Sequence, residues 1–279
     1  MERQQSSDFH PPISAKVPCT GLDSIIERGA QAVANRGVLK GRQRETGRRQ
    51  RSHLIEDTLV QARLVMLGTI HRDKDGGLLL SGWLDRVKPE VITLEFSLYG
   101  MLFRKVHGPE LRKRVGALIR EMAVPVEQSR AVVQALSDYI DLPYEYAETS
   151  RYADGAGVPL HLLDVDRFSM INLWHVQELI DERNLRTWLG DQTSRENEIT
   201  KERALARLFF DKGVRAFAYT DEMLTRDRHI VEKLASLAHR YNGKRILHVC
   251  GWQHLVDQGN LYHTLNPVKV FLHDRTLRV

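Results

Sequence analysis

The feature that most constrains this chain is a set of short apolar runs separated by long helical patterns. The runs are nearly continuous in Val, Ile and Leu, which is typical of strands buried on both faces of a parallel sheet. They lie at residues 64–67, 91–95, 159–164, 245–250 and 268–274. Strands that alternate with helices predict an α/β fold, in which a mainly parallel central sheet is flanked by helices.

A long helical block interrupts the strand pattern in the second half of the chain. Residues 168–240 carry apolar side chains at spacings of three and four, with few strand signals. We predict that they form a helical subdomain or lid within an α/β domain that covers residues 56–279.

The positive charge of the chain is confined to its N-terminal region. Residues 1–53 hold ten basic and five acidic side chains, which accounts for the whole net charge of +5. We predict a flexible basic arm over residues 1–55. Nucleic acid is not expected as a partner, except weakly through this arm, because the remainder of the chain carries no net charge.

The cysteine content and the absence of long apolar segments in the sequence indicate the cellular compartment. Cys19 and Cys250 are the only cysteines, which are too few for a disulfide framework and fit a reducing environment. The first residues lack the apolar segment of a secretory signal, and no stretch approaches the roughly 18–20 apolar residues of a membrane span. We therefore expect a cytoplasmic protein without membrane attachment.

Polar residues follow four of the apolar runs, at the point where each predicted strand ends. The first run leads into Gly68-Thr69-Ile70-His71, and the fourth leads into Gly251-Trp252-Gln253-His254. The second ends at Glu95 and the third at Asp164. Because ligands bind beyond the carboxyl ends of strands in open α/β sheets, we expect these side chains to meet there.

Two imidazoles and a carboxylate are the ligand set of a catalytic metal site. Three protein ligands leave coordination positions open for water, and glycine allows the chain to turn and to approach a ligand closely. The alternative is that these residues cap strands and form ordinary hydrogen bonds. An arginine of the segment Arg226-Asp227-Arg228 is either an oxyanion-stabilising group that reaches into this crevice or part of an exposed salt-bridged helix face.

Taken together, these residues resemble the TraB/PrgY (TraB/GumN) family, which is related to Tiki-type proteases, erythromycin esterase-like proteins and ChaN-like proteins. The likeness begins near residue 60 and runs to the C-terminus. It rests on the segments VMLGTIH, LDRVKPEVITLE, AETSRYADGAGVPLHLLDVDR, LTRDRHIVEKLASL and RILHVCGWQHL. The resemblance implies that the functional residues are His71, Glu95, Arg226 and His254, with Asp164 as a further member.

The resemblance implies more than one activity. Tiki-type relatives imply a peptidase that depends on a divalent metal such as manganese or cobalt. PrgY-like relatives imply the sequestration of a signalling peptide, and ChaN-like relatives imply haem binding. The resemblance therefore indicates which residues form the site, but it does not indicate a single reaction.

Our first hypothesis is a metal-dependent hydrolase that cleaves an amide or ester bond, in a peptide or another small substrate. The predicted metal ligands for Mn, Co or Zn are His71, His254, Glu95 and Asp164. Glu95 is either a ligand or a general base, and Arg226 stabilises the oxyanion. The alternatives are a non-catalytic binder of a signalling peptide or haem, and an interaction protein that acts through its basic arm.

Overall fold

Each of the five apolar runs forms all or most of a β-strand in the computed structural model, which describes residues 61–273 apart from 175, 177–179, 191–194 and 215–216. The strands are β1 (Leu64–Thr69), β2 (Val91–Leu94), β3 (Leu160–Leu162), β4 (Ile246–Gly251) and β5 (Val268–Phe271). They form one sheet in the order β3-β2-β4-β1-β5, and every neighbouring pair is parallel. The predicted α/β fold with a parallel sheet is confirmed.

Eight α-helices accompany the sheet in the described part of the chain. They are α1 (Gly76–Val87), α2 (Leu98–Glu121), α3 (Val126–Ile140), α4 (Tyr144–Ala156), α5 (Asp166–Trp174), α6 (Glu182–Gly190), α7 (Arg195–Lys212) and α8 (Asp221–Arg240). Two short 3-10 helices, Trp252–Val256 and Tyr262–Leu265, follow β4. The predicted basic arm, residues 1–55, lies outside the described residues.

The two faces of the sheet pack against different helices. On one face, Val65 and Leu67 of β1 contact the apolar sides of α1 and α4, for example at Leu84 and Ala153. On the opposite face, residues such as Met66 pack against α7 and α8. Because both faces are covered, the strands are apolar along nearly their whole length, as their sequence predicts.

A third apolar cluster lies among helices rather than on the sheet. It joins α2 and α3 to α5 and α6 through buried residues such as Leu111, Leu136, Leu173 and Leu185. The helices of the block 168–240 are therefore divided between two apolar clusters. Its first half packs with the α2–α3 hairpin and its second half covers the sheet, since the apolar sides of its helices face different partners.

The helices of the described residues are too short or too polar for a bilayer. None of them combines the length and the apolar character that a membrane span needs.

The order of the strands places β4 between β1 and β2, and this brings both Gly-x-x-His segments to one end of the sheet. In the β1–β4 pair, Gly68 lies beside Cys250 and Thr69 lies beside Gly251. A Cβ atom on Gly68 would lie 2.8 Å from the Cα atom of Trp252. This glycine is thus required by the close approach of the second segment to the first.

We expect Gly68→Ala to lower the free energy of unfolding by about 1–3 kcal/mol, because the added methyl group meets backbone and cannot be accommodated by a side-chain rotation. Urea unfolding monitored by circular dichroism measures this. The control is Gly82→Ala in α1, where a Cβ has nothing within 4 Å. That change should be neutral or stabilising by up to about 1 kcal/mol, and an equal loss in both variants would contradict the packing argument.

Candidate functional site

A buried glutamate at the end of β2 is the centre of the candidate site. Glu95 Oε2 accepts a hydrogen bond from the Gly251 amide at 2.7 Å, so its carboxylate is fixed against the end of β4. Its Oε1 atom lies 2.9 Å from His254 Nε2 and 2.5 Å from Arg226 Nη2. Residues from two strand ends and from helix α8 thus meet at one carboxylate.

His254 is held on its other side by a carboxylate from α8. Its Nδ1 atom lies 2.5 Å from Asp227 Oδ1, and the Tyr262 hydroxyl donates to the same oxygen at 2.7 Å. The side chains of His254 and Asp227 are 5% and 0% exposed. The imidazole therefore has a fixed orientation, with Nδ1 towards Asp227 and Nε2 towards Glu95.

His71 has an equivalent arrangement. Its Nδ1 atom lies 2.7 Å from Glu145 Oε1, and the Thr69 hydroxyl donates to the same oxygen at 3.1 Å. Glu145 lies in the first turn of helix α4 and is buried, whereas 54% of the His71 side chain is exposed. Each histidine is thus held through Nδ1 by a buried carboxylate.

The second glycine explains how the two histidines come together. A Cβ atom on Gly251 would lie 3.1 Å from His71 Nε2, 3.6 Å from Glu95 Oε2 and 3.7 Å from His254 Cδ2. The two imidazoles and the glutamate therefore surround one point, which a larger residue at 251 would fill. The φ angle of Gly251 is −57°, so the space around this residue, and not its backbone conformation, requires glycine.

Asp164 lies in the same layer but has a different partner. Both of its carboxylate oxygens bind Arg226, at 2.9 Å to Nε and 2.8 Å to Nη2. This paired contact fixes the plane of the guanidinium, which also reaches Glu95. The structure therefore brings all five predicted residues together, and it places Asp164 on the arginine rather than on the histidines.

The charges of the site are mutually stabilising. Burial opposes the charge of Glu95, but His254, Arg226 and His71 together lower the pKa of this carboxyl well below its usual range. Desolvation likewise opposes protonation of His254, yet Glu95 and Asp227 raise its pKa to about 10. Against the same cost, Glu145 and then Glu95 raise the pKa of His71 to about 9. Without a metal, both histidines are imidazolium ions at neutral pH.

A cavity of about 520 Å³ opens over these residues. His71, Glu95, Glu145, Asp164 and Arg226 lie on its wall. Other residues of its wall come from α2, from the end of α3 and from the turn that leads into α4. A cavity of this size accommodates a small molecule or a short peptide segment.

The donor atoms of the site can be compared with those that a divalent metal ion needs. Among the described residues, no group of three or more His, Cys, Asp or Glu side chains is arranged to hold a metal ion. Both imidazoles nevertheless have Nδ1 on a carboxylate, which is the usual setting of metal-binding histidines, and this leaves Nε2 as the atom that could bind a metal. Glu145 Oε2 and Asp227 Oδ2 are buried without a hydrogen-bond partner. The donor types fit a divalent cation, which would replace the protons that the imidazoles now carry.

Three residues of this site were not predicted from the sequence. Asp227 is visible beside Arg226 in the Arg-Asp-Arg segment, but no pattern indicates that it faces His254. Glu145 and Tyr262 carry no motif, since one lies in the first turn of a helix and the other in a short 3-10 helix. Only their burial next to a histidine or its partner distinguishes them from surface residues of the same types.

Comparison of the chain with protein-family models, with curated proteins and with solved structures gives no match. Membership of the TraB/PrgY family therefore stays a prediction from the residues quoted above.

We expect the metal-free protein to lose stability as the pH rises from 7 to 9.5. The pKa of His254 is raised in the folded state, so its contribution is complete below pH 6.5 and is lost as the pH rises through about 10. In this window the free energy of unfolding should fall by about 1.4 kcal/mol per pH unit for one such histidine. His254 dominates this slope, because solvent screens the half-exposed His71.

Urea unfolding in the presence of a chelator, at several pH values, measures the slope. The control is His254→Gln, which keeps a polar side chain but has no titrating proton. Its slope should be flatter than that of the wild type. Equal slopes for the two proteins would contradict the assignment of the proton to His254.

Proposed function

We propose that this protein is a metal-dependent hydrolase that cleaves an amide or ester bond in a small substrate such as a peptide. One observation carries the proposal. Two histidines from separate strand ends each have Nδ1 on a buried carboxylate, and together with Glu95 they surround one point beside Gly251. His71 and Glu95 of this group lie on the wall of a cavity. Ordinary capping of strands does not call for two such histidine–carboxylate pairs at one point.

In this proposal, His71, His254 and Glu95 hold the metal. Divalent ions such as Mn, Co and Zn accept imidazole nitrogen and carboxylate oxygen as ligands. A divalent ion supplies Lewis acidity, which lowers the pKa of water and polarises a carbonyl group. Asp164 is the fourth predicted ligand, although its present partner, Arg226, favours a role in holding the arginine.

The other residues have roles that follow from their contacts. Glu145 and Asp227 orient the imidazoles and make Nε2 a better electron-pair donor. Tyr262 fixes Asp227 by a hydrogen bond at 2.7 Å. Arg226 lies on the cavity wall and carries a permanent positive charge, so it is placed to stabilise negative charge that develops on a carbonyl oxygen.

The metal ligands can be tested without knowledge of the substrate. Elemental analysis after equilibration with Mn, Co or Zn should show about one ion per wild-type chain, since the proposal has one shared centre. We expect His71→Ala and His254→Ala each to weaken binding by more than about 100-fold, because each removes a ligand. The matched control is His107→Ala on the exposed side of α2, and normal metal content in both site variants would refute the metal proposal.

The carboxylates behind the histidines give a second, graded test. We expect Asp227→Asn to weaken metal affinity by about 10–100-fold and to leave the far-ultraviolet circular dichroism unchanged, because the amide keeps the shape but not the charge. Competition with a coloured chelator measures the affinity. The control is Asp221→Asn in the exposed first turn of the same helix. Equal affinities in the two variants would show that Asp227 does not act through His254.

The alternative function is a non-catalytic binder that uses the same cavity for a signalling peptide or haem. The two functions differ in turnover, since a binder holds its ligand unchanged. A peptide library incubated with the metal-loaded protein and analysed by mass spectrometry separates them. New peptide termini that disappear in Arg226→Met support the hydrolase. Haem binding, seen as a Soret band after haem is added to metal-free protein, supports the binder.

A further inference from the structure

The charged residues around the cavity are unevenly paired. Five carboxylates line it, and each has a basic partner within the described residues. Glu95 and Asp164 bind Arg226, and Glu145 binds His71. Asp73 binds Arg203 and His273, and Asp141 binds Arg112. Each acidic group of the cavity wall thus already has a cation, which disfavours a cationic ligand.

Arg104, on the wall of the same cavity, has no carboxylate partner among the described residues. Arg104 projects from α2 and donates from Nη1 to the Gly100 carbonyl at 3.1 Å, and its guanidinium lies 5.4 Å from the centre of the Phe96 ring. Within the part of the chain that the structure describes, no carboxylate pairs with Arg104. Its Nε atom is buried without a hydrogen-bond partner. Asp141 lines the same cavity but forms its ion pair with Arg112, at 3.0 Å.

The surroundings of Arg104 increase the local positive charge. Burial and the nearby charge of Arg72 both lower the pKa of Arg104, to about 10, so the group remains protonated at neutral pH. Arg72 follows His71 directly and lines the same cavity. Ser169 adds a hydroxyl group to this wall. A half-buried cation in this setting is stabilised by an anion that enters the cavity.

We propose that Arg104 binds a carboxylate of the ligand and so gives the cavity a preference for acidic peptides or for peptides with a free C-terminus. Arg104 and Glu95 line the same cavity, so a ligand in this cavity could contact both the guanidinium and the residues of the proposed reacting centre. The planar guanidinium suits a carboxylate because it donates two parallel hydrogen bonds. This inference deepens the proposed function and rests on the same cavity.

The test compares three peptides that differ in one charge. They are acetyl-Ala-Ala-Ala, its C-terminal amide and acetyl-Ala-Glu-Ala amide. Affinities for the full chain are measured by nuclear magnetic resonance titration with a chelator present, since a metal would itself attract carboxylates. We expect at least one carboxylate peptide to bind roughly tenfold more tightly than the neutral amide, as is typical of charge-assisted hydrogen bonds. The stronger of the two identifies the C-terminal or the side-chain carboxylate as the group that is bound.

The variants assign the preference to Arg104. We expect Arg104→Met to abolish the preference and Arg104→Lys to keep part of it, while Arg114→Met, on the exposed side of the same helix, leaves it unchanged. Circular dichroism checks folding, and Arg104→Gln replaces the methionine variant if that variant does not fold.

The inference is overturned if the wild type binds the three peptides equally, or if the preference survives removal of the Arg104 charge. Its failure is distinguishable from that of the proposed function. A carboxylate preference without metal binding or turnover refutes only the hydrolase, and metal-dependent turnover without the preference refutes only the role of Arg104.

Discussion

The parallel pairing of β1 with β4 is the interaction on which the site depends. These strands are far apart in the sequence, and their register places Gly68 beside Cys250 and Thr69 beside Gly251. Gly68 and Gly251 cannot be replaced by a larger residue without a clash, because each is packed against the other Gly-x-x-His segment. A shift of the pairing by one residue would turn each side chain to the other face of the sheet and would separate the two histidines. The two Gly-x-x-His segments therefore pack against each other and form one structural unit.

A chain of paired charges makes it possible to bury this site. Isolated ions are costly inside a protein, but here each buried carboxylate has a cationic or hydrogen-bonding partner. Helix α8 supplies a positive and a negative charge from neighbouring residues. Arg226 binds Glu95 and Asp164, and Asp227 binds His254. The position of one helix thus fixes three side chains from other elements. Removal of a single partner would leave an uncompensated charge, which couples the integrity of the site to the packing of α8 on the sheet.

The sequence predicts the sheet and the edge of the site because both depend on local patterns. Buried parallel strands appear as continuous apolar runs, and the residue after each run lies at the carboxyl edge. For this reason the apolar runs place Glu95 and His254 at the same edge of the sheet, whereas the strand order that makes β2 and β4 neighbours is known only from the structure. The partners of the histidines could not be predicted, because Glu145 and Asp227 lie on helices and their facing direction is decided by packing between distant elements. Packing between distant elements also explains why the block 168–240 divides between two apolar clusters, although its helical pattern is regular.

The connection between β2 and β3 gives the cavity its particular character. Most parallel connections contain one helix, whereas this one contains α2, α3 and α4. The first two helices form a wall that carries Arg104, and the third carries Glu145, which holds His71. Residues that would react lie on strand ends and on α8, and residues that would select a ligand lie mainly on the hairpin α2–α3. Recognition and chemistry are therefore carried by different elements, but they are joined through α4, so a movement of the wall that shifts α4 also displaces an imidazole of the reacting centre.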